Sequence, residues 1–190
     1  MDDRDYLVRL LDLDSDFIID LRYATENNFT NKILYNSNEC YVNKNTANLL
    51  IKAKDIFKND GFRVKIWDAY RPISAQRQMF EIVPIDMYVA TPPDMSKIVK
   101  FEYSHMNGLC VDITLVDFDG NEEMEMPTAF DDFTEMAGLG CDKIPPVARA
   151  NAEYLKKVME SVGFKASKNE WWHFNDINTK PTPYSDIQFN

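Results

Sequence analysis

Between residues 46 and 67 the apolar spacing changes from the period of a helix to that of a strand, with one glycine turn between them. No other feature of the chain constrains its fold as much. Leu49, Leu50, Ala53, Ile56 and Phe57 share one stripe behind a Thr46 cap candidate, and the run stops at Gly61. Phe62, Val64 and Ile66 then alternate with Arg63, Lys65 and Trp67, the pattern of a half-buried strand, as far as Asp68-Ala69-Tyr70-Arg71-Pro72. Arg71 therefore sits just past a strand. A shorter helix is expected from Ser74 to Ile82, followed by an irregular stretch broken by Pro84, Pro92 and Pro93. Val111 to Asp117 alternates again, which places Asp112, Thr114 and Val116 on one face of a strand. Residues 147–162 repeat apolar positions at Leu155, Val158, Met159 and Val162 and close at Gly163, and Phe164 to Phe174 reads as strand-like. The order is that of an α+β fold. Nothing marks a linker, so residues 1–190 are expected to form one domain, with 178–190, which contain Pro181 and Pro183, as a loosely held tail.

Charge and cysteine content narrow the function. A net charge of -10 and a pI near 4.7 disfavour nucleic acid and anionic membranes, which need a basic face to displace counterions. Cys40, Cys110 and Cys141 are odd in number and widely spaced, without a Cys-x-x-Cys, so neither a disulfide framework nor a thiolate zinc site is expected. The N-terminal run MDDRDYLVRLLDLDSDF is repeatedly charged, unlike a secretion signal, and no apolar run reaches membrane-spanning length. These features suggest a cytoplasmic protein.

The chain has only two histidines, and each lies in a short run with an acidic residue. In the first run, Ser104 to Asp112, Gly108 lets the backbone turn so that His105 and the carboxylate of Asp112 can converge. The second is Glu170-Trp171-Trp172-His173, which on an extended segment would direct Trp171 and His173 to one face and set Glu170 at the start of the strand. Two imidazoles and one carboxylate form a catalytic zinc set, since three protein ligands leave a fourth position open. Such a site keeps a charge of about +1 and can lower the pKa of bound water from ~15.7 to ~7. Glu170, the one acidic residue next to a ligand run, is suited to general acid/base work, and Arg71 to stabilising an oxyanion. Taken singly, these residues have plainer readings. A lone histidine is more often structural, Glu170 a solvated carboxylate, Arg71 a surface ion-pair partner, the tryptophans core and Cys110 a buried structural thiol. For Asp131 and Asp132, in FDDFTEM, the plain role is to cap a helix N-terminus.

Together the runs SHMNGLCVD and EWWH resemble the metal signature of the M15 zinc peptidases. The segment Asp68 to Pro72, the stretch LRYATENNF from Leu21 to Phe29, and FDDF at 130–133 resemble its D-Ala-D-Ala dipeptidase branch, over about residues 21–175. The resemblance implies one zinc per chain on His105, Asp112 and His173, Glu170 as general base and acid, Arg71 as a transition-state arginine and Asp131 as the receptor of the dipeptide ammonium. It implies a central antiparallel sheet carrying the ligands and flanked by helices, and hydrolysis of D-Ala-D-Ala in cell-wall precursor turnover or vancomycin-type resistance. Tyr103 and Cys110 depart from the family pattern, which has a small hydroxyl residue and an alanine there, and the tyrosine ring would narrow or reshape the pocket. A carboxypeptidase or L-Ala-D-Glu endopeptidase of the same superfamily, or a zinc-containing binding protein without turnover, are the alternatives.

Overall fold

A computed structural model describes residues 6–86, 89–119 and 122–189; residues 1–5 of the acidic N-terminal run and residue 190 lie outside it. The chain opens with β1 (Leu7–Arg9), the single-turn helix α1 (Leu10–Leu13) and β2 (Ile18–Ile19). β3 (Tyr41–Asn43) pairs antiparallel with β1 and leads into α2 (Lys44–Asn59). The helix starts two residues earlier than its apolar stripe suggested, because the Asn43 side chain accepts from Asn45 N–H and caps it. Thr46 is not the cap; it is fully buried inside the helix and its hydroxyl donates to Asp176 at 2.8 Å.

β4 (Phe62–Asp68) and α3 (Ile73–Ile82) follow as expected, and no helix or strand occurs among the described residues between 83 and 104. β5 (Cys110–Asp117) is buried along its whole length except Asp117, where a half-buried strand was expected, because both faces are covered. α4 (Pro146–Val162) ends at Gly163. The following segment is not one strand but a hairpin of β6 (Phe164–Ala166) and β7 (His173–Asp176), with Trp171 and Trp172 in the connection. The main sheet runs β2-β4-β5-β7-β6. It is antiparallel except at the β2 edge, where Ile18 and Ile19 pair parallel with Lys65 and Ile66.

One face of the sheet buries Val64, Ile66, Val111, Ile113 and Leu115 in a core shared with Leu50, Phe57, Leu155 and Met159 of α2 and α4. Each such side chain contributes roughly 1.5–3 kcal/mol by leaving water. Alternation then sends Asp112 and Thr114 to the opposite face, and a register shift at Trp67 brings Asp68 level with Asp112. That face therefore carries buried polar groups, Asp112 and Thr114 among them.

Residues 178–189 have no regular structure but are not loosely held. Ser185 N–H donates to the Met106 carbonyl at 2.9 Å, and its own carbonyl accepts from Ile73 at 3.1 Å. The Thr182 carbonyl accepts from Asn107 Nδ2 at 3.0 Å, and Phe189 stacks on Tyr41 with ring centroids 3.5 Å apart. The prolines prevent regular structure without preventing docking, so the segment is a strap across α3 and the turn at His105.

Candidate metal centre

His105 lies on a 3₁₀ turn, His105–Asn107, directly before β5. The Ser104 hydroxyl accepts from Met106 N–H at 3.1 Å, and the Asn107 side-chain oxygen accepts from Ser104 N–H at 3.2 Å, a reciprocal box that fixes the turn. Gly108 reverses the chain at φ +67°, and a Cβ there would stand 2.6 Å from the Asn43 nitrogen. Sheet register does the rest, since Asp112 on β5 lies directly across from His173 on β7.

Donor atoms of His105, Asp112 and His173 all lie within 4.8 Å of one another, a group that could hold a metal ion. His105 Nε2 is 3.2 Å from His173 Nδ1 and 3.4 Å from an Asp112 oxygen, and His173 Nδ1 is 2.9 Å from the other oxygen. His105 Nδ1 meets the Ala69 carbonyl at 2.7 Å. A carbonyl only accepts, so Nδ1 carries the proton and Nε2 keeps its lone pair for the centre. Burial raises the Asp112 carboxyl, but the His105 and His173 charges and hydrogen bonds outweigh it and hold the group below the usual carboxylate range. Burial likewise disfavours the charged His173 ring, yet the hydrogen bond and charge of Asp112 raise its pKa well above the ordinary value. Both shifts have the same cause, the short Asp112–His173 and Asp112–His105 contacts, in which each charged form favours the other.

The cleft above them has a volume of about 570 Å³ and is lined by Arg71, Asp131, Glu170 and Trp172, among others. Glu170 is near the donors without joining them: its carboxylate is 4.0 Å from His173 Nδ1. Burial pushes the Glu170 carboxyl up, opposed by the His173 charge and reinforced by Asp112. Because the segment before β7 turns, it is Trp172 that faces this cleft with His173, while Trp171 lines a neighbouring cleft of about 590 Å³. The expectation that Trp171 and His173 share a face is corrected accordingly.

Asp131 lines both clefts. It caps no helix; its backbone sits at φ 59°, and its carboxylate accepts from Tyr23 OH at 3.1 and 3.0 Å. Burial first and the Asp112 charge second push the Asp131 carboxyl well above its usual range, a bias that a cation beside it would oppose. Tyr103 is on the rim of the cleft above the donors, with its hydroxyl donating to the Ile177 carbonyl at 3.2 Å. Cys110 is buried and its thiol is pushed up by burial, so it stays protonated.

Arg71 is not a surface ion-pair partner. It is 9% exposed, its Nε and one terminal nitrogen donate to Asp68 at 3.0 and 2.6 Å, and the other donates to Gln76 at 2.8 Å. Its guanidinium carbon lies 5.1 Å from the centre of the Tyr23 ring. Arg71 also lines the cleft above the donors. Asp68 is the hub that sequence reasoning missed. It accepts from Tyr35 OH at 2.5 Å and Ala69 N–H at 2.9 Å on one oxygen and from Arg71 on the other. Its spacing three residues before Arg71, at a strand end, was the available signal.

The family described as D-ala-D-ala dipeptidase, Peptidase_M15, matches residues 4–190, beyond both ends of the 21–175 stretch in which the motifs lie. A D-alanyl-D-alanine dipeptidase of Escherichia coli (strain K12) is 33% identical over 190 residues, covering 100% of this chain and 94% of the relative. One of Enterococcus faecalis is 31% identical over 184 residues, and one of Enterococcus faecium 29% identical over 189 residues, each match covering 90% of both chains. A solved D,D-pentapeptidase, VanY, in complex with Zn(II) is similar over 75% of this chain and 76% of that one, at 16% identity and a TM-score of 0.44, a likeness too loose to argue from.

Proposed function

The chain belongs to the D-Ala-D-Ala dipeptidase family of M15 peptidases, and from that membership we propose that it hydrolyses the dipeptide D-Ala-D-Ala with one zinc held by His105, Asp112 and His173. The convergence of these three donors in a cleft that also carries Glu170, Arg71 and Asp131 is the observation that supports this most. Zinc held there would supply Lewis acidity, enough to lower the pKa of water from ~15.7 to ~7.

Everything else falls to side chains. Glu170 takes a proton from the attacking water and returns it to the leaving amine; burial already biases it toward carrying a proton midway through such a transfer. Arg71, held rigid by Asp68 and Gln76 at the wall of the cleft, stabilises the oxyanion that develops from the scissile carbonyl with its fixed positive charge. Asp131 pairs with the free ammonium of the substrate, and its position between the two clefts supports a length limit: a third residue on that side would have to pass it. We place the activity in turnover of cell-wall precursors, with antibiotic resistance as one setting for the same reaction. Three unpaired cysteines support a reducing, cytoplasmic location. No helix among the described residues is long and apolar enough to cross a membrane.

The test is release of D-alanine from D-Ala-D-Ala by purified protein, with added zinc and with chelator, against L-Ala-L-Ala and a D-Ala-D-Ala-terminated pentapeptide. Zinc-dependent release from the D,D-dipeptide alone is expected. Equal rates on the pentapeptide would move the assignment to a carboxypeptidase, and zinc uptake without any release would indicate a binding protein.

A further inference from the structure

Asn175, two residues beyond His173 on β7, lies on the same face of the sheet and in register with Cys110 of β5 and Lys165 of β6. Its amide contacts all three neighbours. Asn175 Nδ2 is 3.4 Å from the Lys165 carbonyl, which can only accept, so the amide nitrogen must face that strand. The side-chain oxygen is thereby turned toward the metal centre, where it accepts from the Cys110 thiol at 3.1 Å and lies 3.3 Å from His173 Nε2. An amide oxygen cannot donate, so His173 Nε2 must carry the ring proton to complete this contact, leaving the Nδ1 lone pair for the centre shared with His105 and Asp112.

We propose that Asn175 is a positioning residue for the metal centre: it fixes His173 as the Nε2-protonated tautomer and sets the angle of the ring, with Cys110 and the Lys165 carbonyl fixing the orientation of Asn175. The inference rests on the zinc reading of His105, Asp112 and His173 given above. It makes the two histidines opposites, since the Ala69 carbonyl sets His105 as Nδ1-protonated and the Asn175 amide sets His173 as Nε2-protonated. A hydrogen bond of this kind on the far nitrogen of a metal-bound imidazole orients the ring and raises its basicity, and its loss weakens metal binding by about 10–100-fold. Cys110 then has a purpose without being a nucleophile or a ligand: its buried thiol is one of two donors holding the amide oxygen in place.

Two measurements test this without reference to turnover. The first is zinc affinity of the metal-free protein, by competition with a chelating dye, for wild type, Asn175→Leu, Asn175→Asp and Cys110→Ala, with thermal melts to verify folding. Asn175→Leu is expected to bind zinc about 10–100-fold more weakly. Asn175→Asp, which keeps an acceptor facing the ring, should stay within a few-fold of wild type, and Cys110→Ala should fall between. The second needs no variant: long-range nitrogen–proton NMR of the zinc-loaded wild type, in which the chain's two histidines give two ring systems. One Nδ1-protonated ring and one Nε2-protonated ring are expected. Two rings of the same tautomer, or an Asn175→Leu protein that binds zinc as tightly as wild type, would overturn the positioning role while leaving the metal centre standing. A wild type that takes up no zinc would overturn the centre and the role together.

Discussion

At the scale of single residues, roles divide by what each side chain touches. Glu170 stands beside the donor group without joining it, so Glu170→Ala is expected to retain zinc and lose turnover, whereas His173→Ala removes a donor and should lose the metal; metal analysis of both purified variants checks the division. Arg71→Ala should slow turnover by about a hundredfold or more, comparable to removing one oxyanion donor. Asp68 is fully buried against Arg71 and Tyr35, so Asp68→Ala leaves a buried cation without its partner. A loss of about 3–5 kcal/mol in urea-denaturation stability is expected, larger than for any single residue on the cleft rim. The donors were legible because residues close in sequence imply a shared neighbourhood: His105 and Asp112 are joined by a turn and a strand. The roles of Asp68 and Asn175 were not, since each depends on a partner from a distant part of the chain: Tyr35 on Asp68, and Cys110 and the Lys165 carbonyl on Asn175.

At the scale of elements, the site is a consequence of one turn and two registers. The 3₁₀ turn at His105 closes only because Gly108 takes a left-handed backbone within 2.6 Å, as measured from an added Cβ, of the Asn43 nitrogen. Gly108→Ala therefore meets both strain and collision, while Gly61→Ala, at φ +89° with nothing within 4 Å, meets strain alone. Gly61→Ala should cost about 1–2 kcal/mol, and Gly108→Ala distinctly more, together with weakened zinc binding; paired thermal melts and metal titrations separate the two. Helices α2, α3 and α4 were readable from period and punctuation to within two residues. The segment from Phe164 to Phe174 was misread as continuous, because aromatic residues suit a strand and the turn between β6 and β7 contains no proline or glycine to announce it. The plain alternative for Asp131, a helix cap, fails for the converse reason: the local pattern fits a helix start, but the residue is held by Tyr23, 108 positions away.

At the scale of the whole molecule, the donors are drawn from distant parts of the chain, with His173 lying 61 residues from Asp112 and 68 from His105. Metal binding to such a site is coupled to folding, so zinc should raise the melting temperature of the wild type and raise that of His173→Ala much less. The strap formed by residues 178–189 belongs to the same assembly, since Met106 and Asn107 of the His105 turn both bond to it. Removing residues 181–190 is expected to loosen that turn and lower zinc affinity even though no donor is lost, which dye competition on the shortened protein would reveal. Composition suggested a free end because prolines prevent helix and strand; what it could not convey is that backbone groups and one aromatic stack suffice to dock an irregular segment. The strap also bears on how this protein is best handled in the laboratory. With Phe189 lying flat on Tyr41, any purification peptide fused behind it emerges from a packed joint rather than from a dangling end. The same strap bonds to Met106 and Asn107 beside His105, so a fusion that displaces it is expected to lower zinc uptake, which should recover once the added peptide is cleaved off.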